Sequence, residues 1–152
     1  MRKMPLVLLT LLAVGSACEP LAAPADRDTL TTARARWDAT SGPAYSFTIS
    51  RGCECVLGGR LMTVTVTNGL VASAAYIDSG SSVESALLSY VYTVPDLFDL
   101  IQDALDRHAA HLAVSYDPTY GYPTHIEIDY SVTTADDELV MDARNLVFAG
   151  AH

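Results

Sequence analysis

Two cysteines separated by one residue are the feature of this sequence most suited to chemistry. Cys53 and Cys55 lie in the stretch Arg51-Gly52-Cys53-Glu54-Cys55, so in an extended chain their side chains point the same way. Three interpretations follow: a structural disulfide, a redox-active or sensing thiol pair with a pKa lowered by Arg51, or part of a soft-metal site. A bridge across so small a loop adds little stability through chain entropy. The metal interpretation lacks further ligands at recognisable spacing.

Carboxylates cluster in the predicted turn Asp136-Asp137-Glu138, with Asp129 nearby in sequence. The cluster could hold calcium, but its spacing is not that of a calcium loop, which alternates oxygen ligands around a glycine. A run of acids in a turn is also typical of a solvated turn. Calcium binding at Asp136, Asp137 and Glu138 is therefore an alternative, while the prediction is no metal and no cofactor.

Histidines give a second weak metal signal, since His108 and His111 lie three residues apart near a predicted helix C-terminus. The helix dipole favours positive charge there, which explains both residues without a metal. The sequence contains no nucleophile elbow, phosphate-binding loop or H-E-x-x-H zinc motif. These observations favour a non-enzymatic role and indicate no catalytic residue.

A tyrosine-rich segment over residues 116–123 is a candidate binding loop. Tyrosine is an amphipathic anchor with few rotamers and is common on binding surfaces. The alternative is a wide hairpin loop shaped by its aspartate, prolines and glycine, with the rings covering the sheet edge. The residues concerned are Tyr116, Asp117, Tyr120, Gly121, Tyr122 and Pro123.

The elements that position these residues follow from hydrophobic spacing. A helix capped by Asp28 presents Leu30, Ala33 and Trp37 on one face, and it ends by Ser41-Gly42-Pro43. Strict alternation of Tyr45, Phe47 and Ile49 with polar residues then predicts a half-buried strand.

Asn68-Gly69 predicts a type I′ hairpin turn after the strand over residues 61–67, because both central residues take positive φ. This turn sets Val66 opposite Val71 and Val64 opposite Ser73. Thr93, with Asp96 three residues later, resembles a capping box that starts a second helix, and three alternating strands follow. The expected fold is α+β, with two helices on one face of an antiparallel sheet in the order α-β-β-β-α-β-β-β.

The first residues have the layout of a secretory signal: Arg2 and Lys3, an apolar run from Leu6 to Val14, then small residues before Cys18. This predicts a lipoprotein signal peptide over residues 1–17, a lipidated Cys18 with a short tether over residues 18–26, and one domain over residues 27–152. Ordinary cleavage after Ala23 or Ala25 is the alternative. With Cys18 acylated the remaining cysteine count is even, as expected in an oxidising compartment.

The net negative charge of the chain limits the classes of partner that it can bind. Arg2 and Lys3 would leave with the signal, so the mature chain carries seven basic and 18 acidic residues, a formal charge of −11. This balance argues against nucleic acid, which needs basic patches. The expected partners are a membrane, held through the lipid on Cys18, and an envelope protein or ligand of unknown identity.

Several motifs together resemble a bacterial family of secreted proteins and lipoproteins known as domain of unknown function 6174. The resemblance implies an exported domain and carries no reaction. Its motifs are Trp37, Tyr45-x-Phe47-x-x-x-Arg51-x-Cys53-x-Cys55, Leu97-Phe98, Val114-x-Tyr116-Asp117, Tyr120-Gly121-Tyr122-Pro123, Ile126-x-Ile128-Asp129 and Asp136-Asp137-Glu138.

Overall fold

The computed structural model describes residues 23–134 and 138–150, which form an antiparallel sheet with two α-helices and one 3-10 helix. The α+β class is therefore confirmed. The elements in chain order are β1 (Ala23–Pro24), α1 (Arg27–Thr40), β2 (Ala44–Gly52), β3 (Leu61–Thr67), β4 (Leu70–Tyr76), a 3-10 helix (Ser85–Tyr90), α2 (Val94–Asp106), β5 (His111–Tyr116), β6 (Pro123–Asp129) and β7 (Glu138–Phe148).

The predicted element order holds only roughly. The two-residue β1 precedes α1, and the 3-10 helix separates β4 from α2; the sequence analysis anticipated neither. Both are too short to produce a recognisable hydrophobic period, and β1 exists only through its pairing with β5. Among the described residues, no helix is long and apolar enough to cross a membrane.

The strands form one sheet in the order β1-β5-β6-β7-β2-β3-β4. Every pairing is antiparallel. The 11-residue β7 lies between β6 and β2, so it joins the β5–β6 hairpin to the β2–β3–β4 meander. Since β2 and β5 run in opposite directions, the segments that follow them leave from opposite ends of the sheet.

The core lies where the alternating strand residues meet the helices. Tyr45, Phe47 and Ile49 of β2 are buried, as predicted, together with Met62, Val64 and Val66 of β3. Burying one large apolar side chain such as Phe47 contributes about 2–3 kcal/mol. Helix α1 adds Leu30, Ala33 and Trp37, and α2 adds Val94, Leu97, Phe98, Ile101 and Ala104.

The predicted register of the β3–β4 hairpin is correct at the turn and wrong beyond it. Asn68 and Gly69 have φ values of 52° and 78°, and Val66 lies opposite Val71. A bulge between Thr65 and Val66 then shifts the pairing, so that Val64 faces Ala74 and not Ser73. The bulge turns Ala74 towards the core, where it is 3% exposed.

Helix α2 begins as predicted, with a capping box in which Thr93 and Asp96 satisfy each other's backbone amides. Its predicted C-terminal end is wrong, because the helix stops at Asp106. His108 takes a left-handed conformation (φ 56°) after the helix, and His111 is the first residue of β5. The two histidines therefore do not share a helical turn.

Candidate functional site

A groove of about 490 Å³ lies beside the carboxyl end of β2 and is called here the Arg51 groove. A volume in this range suits a small ligand or a side chain of a partner. Three parts of the chain line it: β2, the end of the 3-10 helix with the two residues that follow it, and one face of α2. Its polar and aromatic lining comprises Arg51, Tyr90, Tyr92, Asp96, Asp99 and Asp103.

Local structure explains why the carboxylates share this groove. Asp96, Asp99 and Asp103 are spaced three and four residues apart on α2, so they lie along one helix face. The capping box fixes where the helix begins and therefore where this face points. Tyr90 and Tyr92 flank buried Val91, which ties their segment to the core.

Arg51 is the unusual member of the groove. It continues the core face of β2 two residues after buried Ile49, at the point where the apolar core ends. Its guanidinium carbon lies 5.1 Å from the centre of the Tyr92 ring, a cation–π arrangement. Its Nε atom is buried and has no hydrogen-bond acceptor among the described residues. A buried donor without an acceptor lowers the free energy of unfolding by about 1–3 kcal/mol, so its presence calls for an explanation.

Two of the three groove carboxylates already have cationic partners. Asp99 accepts a hydrogen bond from Arg34 at 2.9 Å, and Asp103 pairs with Arg107 at 3.3 Å. Asp103 also accepts a hydrogen bond from the Tyr130 hydroxyl at 3.1 Å. Burial raises the pKa of Tyr130, and the hydrogen bond to Asp103 raises it further.

Asp96 and Arg51 remain without an ion-pair partner among the described side chains. The Oδ2 atom of Asp96 accepts hydrogen bonds from the Thr93 amide and hydroxyl, at 2.7 and 2.6 Å. The groove therefore presents one guanidinium and one carboxylate that lack ion-pair partners among the described side chains, together with two tyrosine rings. This arrangement can hold a ligand that carries both signs of charge.

The cysteine segment, residues 51–59, continues directly from the groove. Cys53 and Cys55 lie at disulfide distance, with Cα atoms 5.3 Å apart. The segment folds back on itself, since the Gly59 amide donates to the Arg51 carbonyl at 2.7 Å. A Cβ atom on Gly58 would lie 2.2 Å from the Cys53 carbonyl oxygen, so only glycine permits this close approach.

The predicted binding loop over residues 116–123 packs largely against the fold. The Asp117 carboxylate accepts hydrogen bonds from the Thr119 and Tyr120 amides, at 2.9 and 2.6 Å. Tyr122 is 5% exposed and contacts Trp37 edge-on. Tyr120 is half-buried, with its ring 5.2 Å from that of Phe148. These contacts fit the alternative in which the rings pack against the fold, and the loop lies at the opposite end of the sheet from the cysteine segment.

The remaining predicted residues do not form a metal centre within the described residues. Asp136 and Asp137 lie outside them, and Glu138 is exposed on β7. No group of three or more potential ligands occurs in residues 23–134 and 138–150. His125 and Asp142 pair at 2.9 Å across β6 and β7, while His111 lies 3.9 Å from Glu127. Calcium binding at the acidic turn stays an untested alternative.

Sequence reasoning missed the groove because its parts meet only in the folded protein. The spacing of Asp96, Asp99 and Asp103 was visible, but it reads equally well as a solvated helix face. Tyr90 and Tyr92 precede the capping box and carry no motif. The one usable signal was Arg51, a charged residue where the alternation of β2 calls for an apolar one.

Comparison with known families places this geometry in context. A family model described as "Family of unknown function (DUF6174)" matches residues 29–148. The chain belongs to this family. The match includes every residue that lines the Arg51 groove and the cysteine segment, whereas Cys18 precedes it. No curated protein and no solved structure matches the chain. The family description assigns no activity.

Proposed function

We propose that this DUF6174 protein is a lipid-anchored envelope protein that binds a small zwitterionic ligand, without catalysis, in the Arg51 groove. The observation that carries the proposal is the buried Nε atom of Arg51, which has no hydrogen-bond partner, on a side chain that lines the groove without an ion-pair partner among the described residues. A purely structural arginine at a strand end gains more by pairing with one of the many carboxylates of this acidic chain. The unpaired Nε atom is better explained by a ligand that supplies its missing hydrogen-bond acceptor.

The ligand class follows from the lining. The planar guanidinium of Arg51 suits a carboxylate, which it can bind through two parallel hydrogen bonds. The free oxygen of Asp96 suits an ammonium group, and the rings of Tyr90 and Tyr92 suit an apolar or planar body between the two charges. An amino acid or a short peptide with free ends has this distribution of charge. A simple anion fits less well, because the mature chain carries a formal charge of −11.

Anchoring is supported by the sequence alone. The signal layout ends at Cys18, and the tether that follows is only a few residues long. A lipid on Cys18 would hold the groove at a membrane surface, where an envelope ligand or a partner protein is available. The same arrangement suits capture or assembly better than turnover.

The groove is tested by nuclear magnetic resonance of the arginine Nε–H groups, with dialanine as the zwitterionic probe and acetate and ethylamine as single-charge probes. Dialanine at millimolar concentration should shift the Arg51 Nε–H signal and the amides around Asp96, and each single-charge probe should have a smaller effect. Arg51→Met has no Nε–H signal of its own, so the test in this variant is the shift of the amides around Asp96, which should disappear. The free energy of unfolding should fall by less than about 1 kcal/mol, because the buried Nε–H is lost with the side chain.

Arg60→Met is the matched control. Arg60 also lies over a tyrosine ring, 4.0 Å from the centre of Tyr76, but it pairs with Asp78 outside the groove. This variant should bind dialanine like the parent chain. The zwitterion proposal is wrong if dialanine produces no response, or if Arg51→Met leaves the response intact.

A thiol-redox role is the second candidate, because Cys55 is exposed, Cys53 is partly exposed and both follow Arg51. A redox-active pair should show a reduction potential well above about −300 mV, whereas structural bridges lie below that value. Titration of the purified protein against glutathione buffers measures this potential. A pair that stays oxidised throughout that range is structural.

A further inference from the structure

Residues 23–25, which lie shortly before α1, join the edge of the sheet. Ala23 pairs with Val114 and Pro24 with Ala113, and the Ala25 amide donates to the Leu112 carbonyl at 3.2 Å. The short β1 therefore occupies the outer edge of β5. As the residue number rises from 23 to 25, the number of the paired residue on β5 falls from 114 to 112, so β1 begins on the Tyr116 side of this edge.

The covalent chain limits how far Cys18 can lie from this edge. Five Cα–Cα steps separate Cys18 from Ala23. A fully extended chain covers at most about 18 Å in that number of steps. A lipid on Cys18 would therefore hold the membrane surface within this distance of the β1–β5 edge.

The Arg51 groove lies at the opposite end from β1 of one row of paired residues that crosses the sheet. The row that begins at Ala23 and Val114 continues through Ile126 and Met141 to Arg51. It crosses four strand spacings, or about 19 Å. The cysteine segment leaves β2 at the end of the sheet opposite to residues 117–121, and β3 and β4 lie further still from β1.

We infer that β1 orients the anchored domain, with the β1–β5 edge and residues 117–121 facing the membrane and the Arg51 groove facing away from it. This inference rests on the proposed lipid anchor. The length of the chain from Cys18 selects this edge and charge does not, because neither β5 (His111–Tyr116) nor β4 at the opposite edge (Leu70–Tyr76) contains a carboxylate. The ligand would then enter from the side remote from the membrane.

The test uses the full chain, isotope-labelled, purified from membranes with its own lipid and reconstituted in nanodiscs that contain a gadolinium-chelating lipid. Paramagnetic broadening should be strong at the amides of Val114, Ser115 and Thr119. It should be weak at Val71 on β4 and at Gly80, beyond the far edge. Equal broadening at the two sets, or stronger broadening at Val71 and Gly80, overturns the inference.

A variant with a flexible Gly-Ser insertion between Pro20 and Leu21 keeps the lipid but releases the constraint on distance. Its broadening should become even across the domain, and an unchanged gradient would show that β1 does not set the orientation. Intact mass reports the lipid separately. If the lipid is absent, the anchor proposal fails, and the orientation inference that rests on it fails as well.

Discussion

Two buried side-chain polar atoms lack hydrogen-bond partners in residues 23–134 and 138–150: Nε of Arg51 and the hydroxyl of Tyr116. Their surroundings differ. Arg51 lines a groove, so the stability that its unpaired Nε atom costs can be recovered when a ligand binds. Tyr116 stacks on Phe98, with ring centres 6.4 Å apart, and its hydroxyl gains nothing from the contact. By comparison, the Tyr45 hydroxyl accepts a hydrogen bond from the Val94 amide at 3.1 Å and helps to seat α2.

Replacing Tyr116 with phenylalanine should therefore stabilise the protein, by up to about 1 kcal/mol at pH 7. Burial raises the pKa of Tyr116 to about 12, the charge of Asp26 adds to this and Arg34 opposes it. Since this pKa is raised above its unfolded value near 10, the stability is fully present below about pH 10 and is lost as the pH rises towards 12. Urea unfolding at pH 7 and pH 11 should show a larger advantage for Tyr116→Phe at pH 11.

Tyr90→Phe is the control for this comparison, because Tyr90 is 50% exposed and lies outside the core. It should leave the free energy of unfolding unchanged at both pH values. If the two variants behave alike at pH 11, the buried hydroxyl of Tyr116 does not contribute to alkaline unfolding.

At the scale of elements, the sequence predicted the parts governed by local chemistry. The Asn68-Gly69 turn, the Thr93–Asp96 capping box and the alternation of β2 each depend on residues close in sequence, and each is confirmed. The bulge in the β3–β4 hairpin was missed because it depends on which side chain the core accepts. The tyrosine loop was ambiguous for the same reason, since its rings are placed by α1 and β7.

Gly121 shows how that loop is held on α1. It has a φ of 80°, and a Cβ atom there would lie 2.5 Å from the Ala33 carbonyl oxygen. Gly121→Ala should therefore lower the free energy of unfolding by more than about 2 kcal/mol, through both backbone strain and the clash with α1. Gly80 has a similar φ of 69° but open space around its Cα, so Gly80→Ala should cost only about 1 kcal/mol.

Chemical denaturation of the two glycine variants separates strain from contact. The difference between them measures the close approach of the loop to the helix, because the conformational cost is common to both. Equal destabilisation would mean that the loop moves away from α1 without loss.

At the scale of the whole molecule, the site depends on topology that local patterns do not encode. The insertion of β7 between β6 and β2 brings the last strand against one of the first, and the Arg51 groove joins β2 to a helix more than 40 residues later in the chain. Neither pairing follows from periodicity, which states that a strand exists but not which strand lies beside it. The candidate residues Arg51, Cys53 and Cys55 were visible in sequence, whereas their neighbours were not.

The charge of the whole molecule leads to a last prediction, about attachment. With the proposed signal removed, the chain would carry a formal charge of −11 and would be repelled by anionic lipid surfaces, so under the proposed anchor its association with membranes should depend on a lipid at Cys18. Cys18→Ser should move the protein from the membrane fraction to the soluble fraction. Cys55→Ser removes a different cysteine and should leave the protein on the membrane.

Intact mass of the parent chain should show a diacyl- or triacylglyceryl group on Cys18, with two thiols labelled only after reduction. A Cys18→Ser protein that stays with the membrane, or an unlipidated chain beginning at Pro24 or Asp26, would contradict the anchor and leave the groove to be explained in a freely diffusing protein.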